Sequence, residues 1–198
     1  MFFLVTGASG VGKSTVRQLL AEEFAPELDT AELAVLGVTP KWDLAWRHQM
    51  VELIVRRALD AQTSGRSFLL CGDPVPPGEL YAAPSADRLG PIAVCLLDAS
   101  ADAQRERLLR RGDDPALIPR HAAFAEWMRR HVVDLDYRPD VITGGGWEEM
   151  KWDRWVGRKA NVMPWTTAVI DTTFLLPTEV AARVGSWIRR NLDAARHP

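Results

Sequence analysis

The chain has 198 residues and 47% of them are hydrophobic, which is enough for one domain with a substantial buried core. Its 24 basic and 26 acidic residues give a formal net charge of -2, so no basic excess favours nucleic acid or an anionic membrane as a partner. The first apolar run, residues 2–5, is too short for a signal peptide or a membrane span, and we therefore expect a cytoplasmic protein.

Short apolar runs alternate with helical patterns along the chain. We predict strands at residues 2–5, 27–29, 68–71, 92–97 and 168–170, of which 27–29 has the weakest pattern. We predict helices from the turn after residue 12 to Pro26, and over residues 42–61, 100–111, 120–133 and 178–192. This alternation predicts a three-layer α/β/α fold with a parallel sheet of about five strands.

The two cysteines, Cys71 and Cys95, lie in apolar runs, which indicates buried and reduced thiols. Residues 72–91 are rich in proline and are predicted as loop. Residues 112–166 contain no convincing strand, so we predict that they form a lid and a substrate-side insertion within a single domain, 1–198.

A glycine-rich turn joins the first predicted strand to the first predicted helix. Residues 7–14 match G-x-x-x-x-G-K-[ST] at every fixed position, in the strand-to-helix context that this phosphate-binding motif requires. Glycines let several backbone N–H groups point into one cavity at a helix N-terminus, where an anion is favoured. We predict that a nucleoside triphosphate is bound by Gly7, Ala8, Ser9, Gly10, Val11, Gly12, Lys13, Ser14 and Thr15.

Three side chains of this loop have separate predicted roles. Lys13 can reach the outer phosphates and act in catalysis, Ser14 can bind Mg²⁺ through its hydroxyl, and Thr15 can contact the innermost phosphate. A glycine-rich turn that merely joins a strand to a helix is the alternative interpretation.

With this loop at its start, the chain resembles the small P-loop kinases: nucleoside-monophosphate kinases, shikimate kinase, gluconate kinase and chloramphenicol phosphotransferase. The resemblance covers most of residues 1–111 and 167–192. It implies ATP with Mg²⁺ as the phosphate donor and a hydroxyl of a small molecule as the acceptor. A preference for ATP over GTP also comes from the resemblance, since no Asn-Lys-x-Asp motif is present.

The resemblance assigns roles to two acidic residues. An acidic residue after the second strand often contacts the acceptor or takes its proton, and Asp29 is the matching residue, with a helix N-cap as the alternative. Asp73 follows the third strand and could hold Mg²⁺ through water or contact the acceptor, with a turn before Pro74 as the alternative. Val75 stands where the family has an arginine, which makes monophosphate recognition less expected.

Arginines beyond the fourth strand resemble the family's phosphate clamp. Arg107 and Arg111 share one helical face and could both stabilise the transferred phosphate, although cations at a helix C-terminus are the alternative. Arg120 could reach in from the lid.

The acceptor is expected near the start of the long helix. We predict contacts from Trp42, Arg47 and His48. The alternatives are core packing for Trp42, a helical ion pair with Asp43 for Arg47, and a surface position for His48. Two other classes of function stay open: a P-loop NTPase that switches a partner protein, and a nucleotide-binding scaffold without catalysis. Neither the acceptor nor the oligomeric state follows from the sequence.

Overall fold

A computed structural model describes residues 1–33, 43–156 and 165–196. The described strands form one parallel sheet in the order β2-β3-β1-β4-β5. The strands are β1 (Phe2–Thr6), β2 (Leu28–Ala31), β3 (Ser67–Cys71), β4 (Ile92–Asp98) and β5 (Thr166–Asp171). The predicted α/β fold is thus confirmed.

Helices cover both faces of this sheet, because strands buried on both sides need an apolar layer on each. The helices are α1 (Lys13–Glu23), α2 (Leu44–Thr63), α3 (Pro77–Ala82), α4 (Ala101–Arg111), α5 (Ile118–His131), α6 (Asp140–Thr143) and α7 (Pro177–Arg196). Buried side chains of α1 and α7 pack on one face of the sheet, and those of α2, α3 and α5 pack on the other. No helix in the described part of the chain is long and apolar enough to cross a bilayer.

Local signals explain where two of the helices begin and end. The hydroxyl of Ser100 accepts a hydrogen bond from the Ala103 N–H at 3.2 Å, and Gly112 ends α4 with a positive φ of 88°. The carboxylate of Asp43 accepts a hydrogen bond from the Trp46 N–H at 2.7 Å, so Asp43 caps α2.

The stretch between β3 and β4 differs from the prediction. Residues 72–91 were expected to be loop, but they contain the six-residue helix α3, which begins at Pro77. Proline is well suited to a first helical position because it has no N–H to leave unpaired there.

Much of the predicted insertion, residues 112–166, packs into the core. Trp127, Met128 and Val132 belong to the same buried cluster as the side chains of α2 and α3. Strand β5 begins at Thr166, inside the predicted insertion. The described part of this segment therefore contributes side chains to the hydrophobic core.

Residue Val5 of β1 lies opposite Cys71 of β3 on one side and Cys95 of β4 on the other. Both cysteines are buried and free, as predicted. Burial raises the pKa of each thiol to about 12.

Candidate functional site

The phosphate loop occupies the carboxyl end of β1, where it turns into α1. Gly7, Gly10 and Gly12 have φ values of 144°, 87° and 98°, which L-residues with a side chain rarely adopt. A Cβ atom added at Gly7 would lie 2.2 Å from the carbonyl oxygen of Leu97. The buried side chain of Gln104 donates a hydrogen bond to the Ser9 carbonyl at 2.9 Å and thereby links the loop to α4.

Lys13 is buried in this loop. Its ammonium group donates hydrogen bonds to the carbonyl oxygens of Gly7 and Ala8, both at 2.8 Å. Burial lowers the pKa of Lys13 to about 8, although the negative charge of Asp73 opposes this shift. Burial thus brings the titration of Lys13 close to neutral pH.

The loop opens into a cavity of about 570 Å³. The exposed Ser14 and Thr15 line this cavity, and its far end is formed by the turn after β5 and the start of α7. Among the described lining residues none is acidic, whereas four are basic: Lys13, Arg107, Arg110 and Arg111. This charge excess suits a polyanion.

Arg107 lies at the edge of the cavity with its guanidinium group engaged. It donates hydrogen bonds to the Thr172 hydroxyl at 2.9 Å and to the carbonyl oxygens of Thr172 and Thr173 at 2.6 and 3.2 Å. The structure thus places Arg107 as a tie between α4 and the turn after β5. Arg107 and Arg111 both line the cavity, and their pairing as a phosphate clamp stays a prediction.

Arg111 is one of the described residues that line the cavity, whereas Arg120 is not. The guanidinium group of Arg111 donates two hydrogen bonds to the carboxylate of Asp113, at 2.6 and 2.5 Å. Arg111 lines the cavity, and its positive charge lowers the pKa of Lys13, so the two cations lie within electrostatic reach. Its ion pair with Asp113 (2.5 Å) leaves the side chain 58% exposed. Arg120 is exposed on α5 and does not belong to the described lining of the cavity.

Asp29 lies away from the phosphate loop, which corrects its predicted role. It pairs in register with Phe68 near the start of β3, and its carboxylate forms an ion pair with Arg66 at 2.6 Å. The phosphate loop lies at the carboxyl end of the neighbouring strand β1. Asp29 is therefore a residue of strand β2 and lies near the amino end of the sheet, whereas the phosphate loop lies at the carboxyl end.

Glu32 takes the place that the sequence assigned to Asp29. It follows the end of β2 at Ala31 and forms an ion pair with Arg17 of α1 at 3.0 Å. A Cβ atom added at Gly72, which lines the cavity, would lie 2.3 Å from a carboxylate oxygen of Glu32. The first acidic residue after the true end of β2 is Glu32, so a better strand boundary would have identified it.

Asp73 lies beside Glu32. Its carboxylate accepts a hydrogen bond from the Leu33 N–H at 2.5 Å, which ties the end of β3 to the residue that follows Glu32. Burial raises the pKa of Asp73, and the charge of Glu32 raises it further, while Lys13 and Arg17 act in the opposite direction. Lys13, Asp73 and Glu32 therefore form one electrostatically coupled group.

Two oxygen-bearing side chains near the phosphate loop are of the kind that could hold a magnesium ion. The hydroxyl of Ser14 and the carboxylate of Asp73 are hard oxygen donors, which Mg²⁺ prefers. No group of three or more His, Cys, Asp or Glu side chains in the described ranges could hold a metal by itself. A magnesium ion here would accordingly take most of its ligands from phosphate oxygens and water, as this ion commonly does.

The predicted acceptor residues Arg47 and His48 meet a glutamate that the sequence did not single out. Arg47 forms an ion pair with the buried Glu79 of α3, and His48 Nε2 lies 3.4 Å from the same carboxylate oxygen. His48 is completely buried, and its Nδ1 accepts a hydrogen bond from the Trp147 N–H at 3.2 Å. Trp42, the third predicted acceptor residue, lies outside the described residues.

Comparison with known proteins supports the fold. No protein-family profile matches the chain, and no curated protein matches it. Among solved structures, it is similar to a gluconokinase from Sinorhizobium meliloti, with a TM-score of 0.57 and 16% identity over 98% of this chain and 97% of the other. It is also similar to an unliganded sugar kinase from Janibacter sp., with a TM-score of 0.55 and 16% identity over 95% of this chain and 94% of the other. The resemblance to small P-loop kinases is thus confirmed at the level of the fold.

Proposed function

We propose that this chain is an ATP-dependent phosphotransferase that transfers the γ-phosphate to a hydroxyl group of a small molecule, with Mg²⁺ as cofactor. The observation that carries the proposal is the cavity at the phosphate loop, whose described lining has four basic side chains and no acidic one. The shared fold with solved kinases agrees with it.

The loop residues bind and orient the triphosphate in this proposal. The backbone N–H groups of residues 7–15 surround the phosphates, and Lys13 exchanges its carbonyl partners for phosphate oxygens. Arg111 neutralises the negative charge that spreads over the transferred phosphate in the transition state. Ser14 and Asp73 would hold the magnesium ion, which would supply further neutralising charge at the phosphates.

Glu32 is the proposed proton acceptor. The acceptor oxygen forms a bond to the γ-phosphorus while the bond from that phosphorus to the β,γ-bridging oxygen breaks, and ADP leaves with that oxygen. The hydroxyl proton goes to the carboxylate of Glu32, which Arg17 holds in position.

A coupled assay of ADP release tests the proposal across a panel of hydroxylated metabolites, nucleosides and antibiotic-like compounds. We expect acceptor-dependent turnover that Lys13→Met reduces by at least about a hundredfold, because this substitution removes a charge aimed at the phosphates. Lys151→Met, which changes an exposed lysine outside the cavity, is the matched control.

The assay also separates the other classes of function. ATP or GTP hydrolysis that no acceptor accelerates would favour a nucleotide-hydrolysing switch. Nucleotide binding without any turnover would favour a scaffold. The cluster of Lys13, Asp73 and Glu32 at the loop favours catalysis over the scaffold.

A further inference from the structure

The guanidinium group of Arg111 is held along one edge only. Its Nε and Nη2 atoms donate to the two carboxylate oxygens of Asp113, at 2.6 and 2.5 Å. A guanidinium group has five N–H donors, so this fork uses two of them and leaves three, including both on Nη1. Arg111 lines the cavity at the phosphate loop and its side chain is 58% exposed, so the remaining donors are accessible to an anion bound there.

The way in which α4 ends brings Asp113 back toward Arg111. The Gly112 N–H donates to the Leu109 carbonyl at 3.0 Å, and the Asp113 N–H donates to the Leu108 carbonyl at 3.1 Å, which is the Schellman pattern of a helix end. This pattern requires a positive φ at its turning residue, and Gly112 has a φ of 88°. The fork between residues 111 and 113 therefore follows from the local structure of the helix end.

Asp113 lies in a sheltered position between two helices. Its side chain is only 16% exposed, and Nε2 of His121, on α5, lies 3.9 Å from its Oδ2 atom. The buried side chain of Gln104 donates to the His121 carbonyl at 3.5 Å and to the Ser9 carbonyl at 2.9 Å. The carboxylate of Asp113 thus lies where α4 is joined to α5, on the helix that is also bonded to the phosphate loop.

A second arginine–aspartate pair with the same sequence spacing provides a comparison. Nε and Nη2 of Arg138 donate to the carboxylate of Asp140 at 3.4 and 2.8 Å, and the two side chains are 63% and 64% exposed. Neither residue belongs to the described lining of the cavity. Exposed pairs of this kind contribute little to stability. The shorter hydrogen bonds and the lower exposure of Asp113 indicate that the guanidinium of Arg111 is held more firmly.

The carboxylate of Asp113 has two opposite effects on an arginine that serves phosphate. The hydrogen bond from Arg111 lowers the pKa of Asp113, so the carboxylate is ionised at neutral pH and offsets part of the positive charge at the cavity. The fork also fixes the plane of the guanidinium, so less conformational freedom is lost when its other donors bind an anion. A gain in kcat from Asp113 requires that the second effect exceeds the first.

We propose that Asp113 is a positioning residue for phosphoryl transfer: its carboxylate holds one edge of the Arg111 guanidinium so that the other edge donates to the transferred phosphate. This inference rests on the phosphotransferase function proposed above. Asp113 contacts no phosphate in this arrangement and acts through Arg111 alone. Its effect on kcat should therefore disappear when the arginine is absent.

A double-mutant cycle tests this role by steady-state kinetics with a saturating acceptor. Asp113→Asn keeps the size of the side chain but removes its charge and one oxygen of the fork. We expect it to lower kcat about tenfold, while the KM for ATP stays within about twofold of the wild-type value. In the Arg111→Met background, the same substitution should change kcat by less than about twofold, because its partner is already missing.

Asp140→Asn is the matched control, because it breaks the fork with Arg138 outside the described lining of the cavity. It should leave kcat and the KM for ATP unchanged. Asp113→Ser also removes the fork, and it is measured by the same criteria if Asp113→Asn does not fold. An unchanged or raised kcat in the folded Asp113 variant would overturn the role. A tenfold loss that persists in the Arg111→Met background would also overturn it, since a structural defect would act independently of the arginine.

Wild-type turnover separates this inference from the proposal on which it rests. If no acceptor accelerates ADP release by the wild type, the proposed function fails, and the positioning role fails with it. If the wild type shows acceptor-dependent turnover and Asp113→Asn matches its kcat, only the positioning role fails.

Discussion

The ammonium group of Lys13 donates a hydrogen bond to the carbonyl oxygen of Gly7, six residues earlier in the same loop, at 2.8 Å. The carbonyl oxygens of Gly7 and Ala8 thus hold the ammonium group of Lys13 within the loop. Because the lysine is buried there, its pKa falls to about 8, and its protonation becomes sensitive to pH in a range that enzyme assays can reach.

The first prediction concerns the pH dependence of turnover. Lys13 must be charged to bind the phosphates, so kcat/KM for ATP should fall above pH 8, by about tenfold per pH unit, because this ratio reports the free enzyme. In the Lys13→Arg variant the guanidinium stays charged, so kcat/KM for ATP of this variant should not fall above pH 8. A wild-type profile that stays flat to pH 9.5 would contradict the assignment.

The second prediction concerns stability. The ordinary pKa of Lys13 is 10.5 and its folded value is about 8, so between these values the unfolded chain binds more protons. The free energy of unfolding of the wild type should therefore rise with pH relative to Lys13→Met, by at most about 1.4 kcal/mol per pH unit. Urea denaturation of both proteins from pH 7 to 10 measures this difference. Titration of the thiols affects both proteins and largely cancels. A constant difference would show that the lysine is not desolvated.

The third prediction separates two carboxylates. Glu32→Gln should lower kcat about 10²- to 10⁴-fold, because it removes the proposed proton acceptor. Asp29→Asn should change kcat less than about twofold, because Asp29 lies near the start of β3 and pairs with Arg66. Steady-state kinetics with a saturating acceptor measure both effects. A larger loss of kcat in Asp29→Asn than in Glu32→Gln would instead support Asp29 as the proton acceptor.

The fourth prediction separates two arginines on α4. Arg107→Met removes the ties to Thr172 and Thr173 and should raise the KM for ATP about tenfold, with a smaller effect on kcat. Arg111→Met should mainly lower kcat, by about a hundredfold, because its charge is used in the transition state. Equal effects of both substitutions on kcat would instead support the paired clamp.

The fifth prediction concerns the backbone of the phosphate loop. Gly7→Ala should abolish nucleotide binding and destabilise the protein by about 2–4 kcal/mol, because the new Cβ atom would lie 2.2 Å from the Leu97 carbonyl oxygen at an unfavourable φ. Gly90→Ala, where the nearest atom would be 3.6 Å away, is the control. Thermal melting with and without an ATP analogue measures both variants. Wild-type nucleotide affinity in Gly7→Ala would contradict the proposed close approach.

Sequence patterns correctly predicted those parts of the site that are formed by residues adjacent in the sequence. The phosphate loop follows from its own spacing, and α4 follows from the Ser100 cap and Gly112. The role of Asp29 was misassigned because β2 has a weak pattern, and its end at Ala31 is fixed by pairing with β3 rather than by its own residues. An error of two residues in one strand boundary moved the proposed base from Glu32 to Asp29.

Contacts between residues that are far apart in the sequence could not be predicted from local sequence patterns. Arg107 bonds to residues 65 and 66 positions away, so its spacing from Arg111 could not reveal that its guanidinium is occupied. Glu79 lies in a proline-rich stretch that had no helical period long enough to detect, and its partner Arg47 is 32 positions earlier. Tertiary packing therefore determines the hydrogen-bond partners of both Arg107 and Glu79.

The position of Val5 between Cys71 and Cys95 has a consequence for how the protein responds to oxidants. Two strand spacings separate the cysteine backbones by roughly 9–10 Å, which is too far for a disulfide. These are the only cysteines of the chain. An oxidising environment therefore cannot join these two thiols to each other within the folded domain.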